Sequence, residues 1–296
     1  FEATIKHSMK TSLDCLPCFI RQTLEAARIA SSDPAVHEQI VRELLGWANR
    51  MDFSQPPPAL AQRVHRRLRE LTGLADPYRP VKDRQNAMAL RLLPELRQEI
   101  SSSDDPLQIA VRIAIAGNII DSGVNGNIDE ADVHLSLRRV LESPFHGDIE
   151  QFRRAIGRAR RILYLADNAG EIIFDRLLIE LLPRERTTLA VRGAPAINDA
   201  TREDAQTAGL SQLVEVIDNG SDAPGTILAG CSAEFRRRFN DADLIVSKGQ
   251  GNFETLNEID RNIFFLFQVK CETVARHTGL AVGVHALLRS NGKPRS

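Results

Sequence analysis

The sequence predicts an α/β protein: an all-helical first half followed by a mainly parallel, Rossmann-like sheet. From Leu13 to about Leu141, apolar residues recur at helical spacing and strand patterns are scarce. After Ser143-Pro144 the rhythm changes, and short apolar runs alternate with helical stretches in the manner of βαβ units. With 296 residues the chain is long enough for an α/β domain and a helical companion.

In chain order, Leu16, Phe19, Ile20 and Leu24 mark a first amphipathic helix, and Ile40, Leu44, Leu45 and Trp47 a second. Pro56-Pro57-Pro58, Asp76-Pro77 with Pro80, and Asp104-Asp105-Pro106 punctuate this half into several helices. The first expected strand is Ile162 to Ala166, and a helix follows from Ile172 to Leu182. Further strands are expected at Thr188 to Val191, Leu213 to Ile217, Leu244 to Val246, Ile263 to Phe267 and Leu280 to Val284. The expected division is a helical region over residues 9–145 and an α/β domain over 146–290.

Hydrophobic residues at 43% and charged residues at 26% are near globular averages, which excludes a disordered or disulfide-scaffolded chain. A formal net charge of -1 argues against nucleic acid as a partner and favours a small molecule. The longest apolar runs are too short to cross a membrane. Residues 1–8 lack the apolar core of a signal peptide, Met9-Lys10 reads as a natural start, and four cysteines suit a reducing cytoplasm. Oligomeric state is not legible.

The most informative segment is Asp167-Asn168-Ala169-Gly170-Glu171, because it follows the first strand and opens a helix, where open α/β sheets bind ligands. Asp167 and Asn168 supply hard oxygen donors suited to Mg²⁺ or Mn²⁺, and Gly170 lets backbone approach an anion. The plain alternative is a helix-capping turn. A dinucleotide would require more glycines here, and an aspartyl nucleophile of the haloacid-dehalogenase kind would require Asp where Ala169 stands. A metal-activated water is the more economical nucleophile. Asp199 stands at a second strand-to-helix junction, either as a further ligand or as an N-cap. The loop from Lys248 through Gly249, Gln250, Gly251 and Asn252 to Glu254 follows another strand and offers N–H groups and a cation to phosphate, unless it is only a turn. Lys270, after the Ile263 to Phe267 run, is a second candidate phosphate clamp, solvation being the default. Asn118 and Asp121, three apart after Gly117, share a helical face and can point at substrate or simply end a helix.

Cys15 and Cys18 lie one turn apart and can bind a soft metal, form a redox pair or pack; the histidines form no zinc-binding motif.

Taken in order, Cys15/Cys18, Gly117-Asn118 with Asp121, the Asp167 to Glu171 turn, Asn198-Asp199 and the Lys248 to Glu254 loop resemble the damage-control phosphatases, in their CxxC-bearing prokaryotic branch. The resemblance runs from about Met9 to Leu288. It implies a helical N-terminal region packed on a Rossmann-like, mainly parallel α/β/α domain. It further implies a divalent metal (Mn²⁺, Mg²⁺, Co²⁺ or Ni²⁺) held by Asp167, Asn168 and Asp199, with Asn118 and Asp121 contacting substrate and Lys248, Gly249 and Asn252 forming the phosphate loop. Other branches hydrolyse sugar phosphates, and the Gln250-Gly251 pair departs from their loop.

The expected reaction is hydrolysis of a small phosphorylated metabolite, a phosphomonoester, with Lys248, Lys270 and backbone N–H groups stabilising the transferring phosphoryl group. Asp167 or Asp199 can assist proton transfer, and Glu171 and Glu254 are alternatives. The competing readings are an S-adenosylmethionine-dependent carboxyl methyltransferase on the same fold, and a non-catalytic metal or redox module built on Cys15 and Cys18.

Overall fold

A computed structural model describes residues 9–117 and 143–290; Asn118 and Asp121 lie outside the described residues. Five helices open the chain: α1 (Cys15–Ala30), α2 (Pro34–Ala48), α3 (Pro57–Thr72), α4 (Arg79–Ser102) and α5 (Pro106–Ala116). Pro34, Pro57, Pro58, Pro80 and Pro106 sit in the first turns of α2 to α5, where a missing N–H costs nothing. Asp33 and Asp105 cap α2 and α5 by accepting from the N–H groups of Ala35 and Gln108.

The second half follows as β1 (Phe145–Gly147), α6 (Ile149–Arg158), β2 (Ile162–Leu165), α7 (Glu171–Ile179), β3 (Thr187–Val191), α8 (Arg202–Thr207) and β4 (Glu215–Asp218). It continues through α9 (Ala233–Asp241), β5 (Leu244–Lys248), α10 (Gln250–Leu256), β6 (Ile263–Gln268), α11 (Glu272–Thr278) and β7 (His285–Arg289). The seven strands form one sheet in the order β1-β7-β6-β5-β2-β3-β4. Every pair is parallel except β6 with β7.

Alternation along the strands builds a core on each face. Ile162, Tyr164, Leu244, Val246, Phe264 and Leu266 pack with apolar residues of α4 to α8. Leu163, Leu165, Ile245, Phe265 and Phe267 pack with those of α9 to α11. Helices α1 to α3 enclose a third cluster around Phe19, Ile40, Leu44 and Leu68, whereas α4 and α5 share the core of the sheet. Among the described residues no helix is long and apolar enough to cross a membrane.

One strand expectation needs correction, and one strand was missed. The run Leu280 to Val284 is a turn, and the last strand begins at His285. Gly279 at φ 73° and Gly283 at φ 92° turn the chain in conformations no extended strand adopts. The short strand β1, three residues just after Pro144, gave no apolar signal and was not foreseen.

Candidate active site

The chain leaves β2 for β3 and β4 on one side, then returns to build β5 and β6 on the other. The crevice beyond the ends of β2 and β5 is therefore the topological switch point of the sheet, where open α/β folds hold ligands. Asp167 enters it from β2 and Gly249 from β5. Gly249 has φ 80° and ψ 158°, and a Cβ built there would lie 1.9 Å from Oδ2 of Asp167. Only a residue without a side chain lets the β5 loop come this close to the carboxylate.

Asp199 arrives from the β3–α8 connection. Asn168 and Asp199 form an isolated antiparallel bridge, flanked by Ala169 N–H donating to the Asn198 carbonyl (2.8 Å) and Ala200 N–H donating to the Asp167 carbonyl (2.7 Å). These backbone bonds place the three expected ligands side by side. Asp199 is not a helix cap: Thr201 starts α8, its N–H and hydroxyl both donating to Asp204 Oδ2 at 2.9 Å. Two residues before Asp199, Ile197 takes φ 48°, a strained conformation for a β-branched residue of the kind that gathers at functional sites.

Asp167, Asn168 and Asp199 are nearly enclosed, the Asp167 side chain being 12% exposed and that of Asp199 5%. Burial raises the carboxyl of Asp167 well above its usual range, and the neighbouring charges of Asp199 and Glu171 raise it further. Asp199 is also raised by burial, against the pull of Arg192. Asn168 Nδ2 donates to Asp167 Oδ2 (3.3 Å).

Lys248 is placed differently from expectation. Its side chain follows Leu244 and Val246 onto the inner face of the sheet and is fully buried, with Nζ donating to Ala114 O (2.8 Å), Glu171 Oε1 (2.5 Å) and Asp175 Oδ1 (2.6 Å). All three ammonium hydrogens are thus engaged, so Lys248 binds two carboxylates of α7 and the end of α5 rather than a phosphate. Burial opposes its charge, but Asp175 and Glu171 outweigh that cost and hold its pKa above the ordinary value. Asp175 is pushed up to about 6, by burial first, and accepts from the Tyr164 hydroxyl at 2.8 Å.

Three other candidates also differ in role. The Gly170 N–H, expected to face an anion, donates to Asn86 Oδ1 (2.7 Å), and Asn86 Nδ2 donates to Asp204 (2.9 Å), tying the turn to α4 and α8. Glu171 is 3% exposed and committed to Lys248 through Oε1. Asn252 is fully buried and braces the loop by donating to Ala166 O (3.2 Å) and Lys248 O (2.8 Å). Lys270 is exposed beside the opening; its charge lowers both Asp167 and Glu254, and its N–H donates to Gln250 Oε1 at 3.0 Å. Glu254, half-buried and bonded to Gln250 Nε2 (2.8 Å), has its carboxyl pushed up by burial to about 7. Cys15 packs against Ser12 (3.6 Å), whose hydroxyl meets Thr273 on α11 (3.0 Å), while Cys18 lies on the outer side near Arg21.

The reading of the sequence missed Arg192, which follows β3 and is buried between the two aspartates. Its Nε donates to Asp199 Oδ2 (2.5 Å), Nη2 lies 3.6 Å from Asp167 Oδ1, and Nη1 donates to Thr226 Oγ1 and Asn252 Oδ1, both at 3.3 Å. The signal was available, since Arg192 stands at the same strand-end position that singled out Asp167.

A family model described as "Damage-control phosphatase ARMT1-like domain" matches residues 11–285. The chain belongs to the damage-control phosphatase family. A damage-control phosphatase of Archaeoglobus fulgidus is 38% identical, covering 93% of this chain and 97% of its own length. Another, from Pyrococcus horikoshii, is 32% identical over 96% of this chain and 100% of its own. The crystal structure of a DUF89-family protein from Pyrococcus horikoshii superposes with a TM-score of 0.87 at 31% identity, covering 96% of this chain and 100% of that one. This likeness extends the family assignment to the three-dimensional fold.

Proposed function

We propose that this damage-control phosphatase hydrolyses a phosphomonoester of a small metabolite at the crevice holding Asp167, Asn168 and Asp199, with a divalent metal bound there. The observation that carries the reading is the backbone bridge between Asn168 and Asp199, which brings two carboxylates and an amide into one place at the switch point. The donor set fits a hard cation, being all oxygen. Among the described residues no three His, Cys, Asp or Glu side chains form such a cluster, and the third donor is the amide oxygen of Asn168. The ion pairs fit as well: Asp167 and Asp199 share Arg192 while Glu171 and Asp175 share Lys248, two carboxylates to each cation, so a divalent ion beside the first pair would favour its ionised form.

When bound, the metal supplies Lewis-acid polarisation of the phosphoryl group and activation of water. Asp167 and Asp199 orient the group it holds, and enclosure around them limits competing solvent. Lys270 supplies a cation at the exposed edge, and Glu254, with a carboxyl near neutrality, suits proton delivery to a departing alkoxide better than Glu171, which is bound to Lys248. The relatives named as phosphatases favour hydrolysis over methyl transfer and over a non-catalytic role.

The test is phosphate release from p-nitrophenyl phosphate and a panel of phosphorylated metabolites after chelator treatment, with Mg²⁺, Mn²⁺, Co²⁺ and Ni²⁺ restored in turn. Asp167→Ala and Asp199→Ala should each abolish turnover and calorimetric metal binding, and the double variant should be little worse than either. Full turnover by the chelated parent, or unchanged metal affinity in the aspartate variants, overturns the reading.

A further inference from the structure

Arg192 has no part in the expected ligand set, yet its guanidinium is among the most constrained groups in the molecule. One edge, Nε and Nη2, spans the gap between the two aspartates: Nε donates to Asp199 Oδ2 at 2.5 Å, and Nη2 stands 3.6 Å from Asp167 Oδ1. The other terminal nitrogen, Nη1, is pinned by the Thr226 hydroxyl and the Asn252 amide oxygen. Thr226 and Asn252 are themselves joined, Oγ1 to Oδ1 at 2.8 Å, and Asn252 is anchored to the carbonyls of Ala166 and Lys248. The fork is therefore locked from behind by the loops following β2, β4 and β5. The side chain is 2% exposed, and Nη2 is buried without a hydrogen bond, Asp167 Oδ1 standing just beyond bonding distance. A buried N–H donor left unpaired costs about 1–3 kcal/mol. The Asp167 carboxylate would relieve that cost by closing the 3.6 Å gap to Nη2.

We propose that Arg192 is a positioning residue for the metal: its planar edge fixes the orientation of the Asp199 carboxylate toward the cation and holds Asp167 at the matching separation. The inference rests on the phosphatase reading above. Shape matters here as well as charge. Lysine carries the same charge but no fork, and cannot reach Asp199 while being held by Thr226 and Asn252. Partners of this kind orient metal ligands, and their loss weakens metal affinity by about 10–100-fold.

Arg192→Lys separates geometry from charge. Calorimetry with Mn²⁺ on the chelator-treated full chain should give a Kd about 10–100-fold above the parent. The metal concentration for half-maximal turnover should shift by the same factor, while kcat at saturating metal recovers to within about tenfold. Thr226→Val, which removes one of the two acceptors holding Nη1 and leaves the arginine in place, should shift the Kd in the same direction by a smaller factor. A purely structural arginine would lower the urea midpoint without moving the Kd of the folded molecules. A folded Arg192→Lys protein that binds Mn²⁺ within twofold of the parent overturns the inference. If Arg192→Lys does not fold, Thr226→Val decides, and an unchanged Kd there overturns it. Failure of the parent to bind any of Mg²⁺, Mn²⁺, Co²⁺ and Ni²⁺ would instead remove the metal site proposed above, so the two failures are distinct.

Discussion

Replacing Gly249 by alanine tests the closeness of the β5 loop to Asp167 with a single methyl group. The new Cβ would lie 1.9 Å from Oδ2 and 2.2 Å from Cγ of Asp167, and the backbone there, at φ 80° and ψ 158°, is a region almost reserved for glycine. Holding alanine in that conformation costs about 1–3 kcal/mol. Forcing a methyl group into packed space costs about 1–3 kcal/mol more. Stability should therefore fall by about 2–6 kcal/mol, within the range a domain of ordinary stability of about 5–15 kcal/mol survives. The function should suffer more, because the strain is relieved chiefly by moving the Asp167 carboxylate by about 1 Å, a displacement that can lower turnover about 100-fold. Gly279→Ala is the control: φ there is 73° with nothing within 4 Å of the added Cβ, so it should cost about 1–2 kcal/mol and leave turnover unchanged. Urea unfolding, calorimetric metal binding and phosphate release on the same preparations supply the comparison. A Gly249→Ala enzyme that loses stability but keeps turnover within threefold of the parent would refute the argument that this contact sets the position of Asp167.

Lys248→Met should destabilise by about 3–5 kcal/mol, because Glu171 and Asp175 are left as buried, uncompensated carboxylates. A stable Lys248→Met protein with only a raised KM, measured by urea titration and steady-state kinetics, would restore the lysine to phosphate binding. Glu254→Gln is expected to lower turnover at least about 100-fold and to change the pH dependence of stability. The folded-state value of Glu254 is raised from 4.5 to about 7, so its neutral form contributes stability fully below pH 4.5, and that contribution is lost as pH rises through about 7. Urea midpoints at pH 5 and pH 8 should therefore differ less in Glu254→Gln than in the parent, and an equal difference would show that the group titrates normally.

The central strands were legible because β2, β5 and the body of β6 are buried on both faces and read as unbroken apolar runs. The last strand was not, because Leu280, Ala281 and Val282 are apolar while Gly279 and Gly283 turn the chain, and composition alone does not show φ. Asp167, Asn168 and Asp199 were singled out by the strand-end rule, and the fold does bring these three together. Lys248 follows the same rule but was misplaced; counting by twos from Leu244 and Val246 would have put it on the inner face. Asn86 could not have been found, since it lies inside a helix and 84 residues from the glycine N–H it accepts.

The position of β1 carries a consequence for how the chain is made. Its three residues pair in parallel with β7, the final strand, and β7 alone joins them to the rest of the sheet. During synthesis, residues up to Leu256 deliver Asp167, Asp199, Arg192 and Gly249 before β7 has left the ribosome. The sheet can thus begin to assemble around β2, β3 and β5 while Phe145–Gly147 waits without a neighbour and, once made, β6 presents an open edge. An unpaired edge is a template for the wrong chain. Pairing of β7 with both β1 and β6 therefore closes the interval in which the chain is most exposed to aggregation.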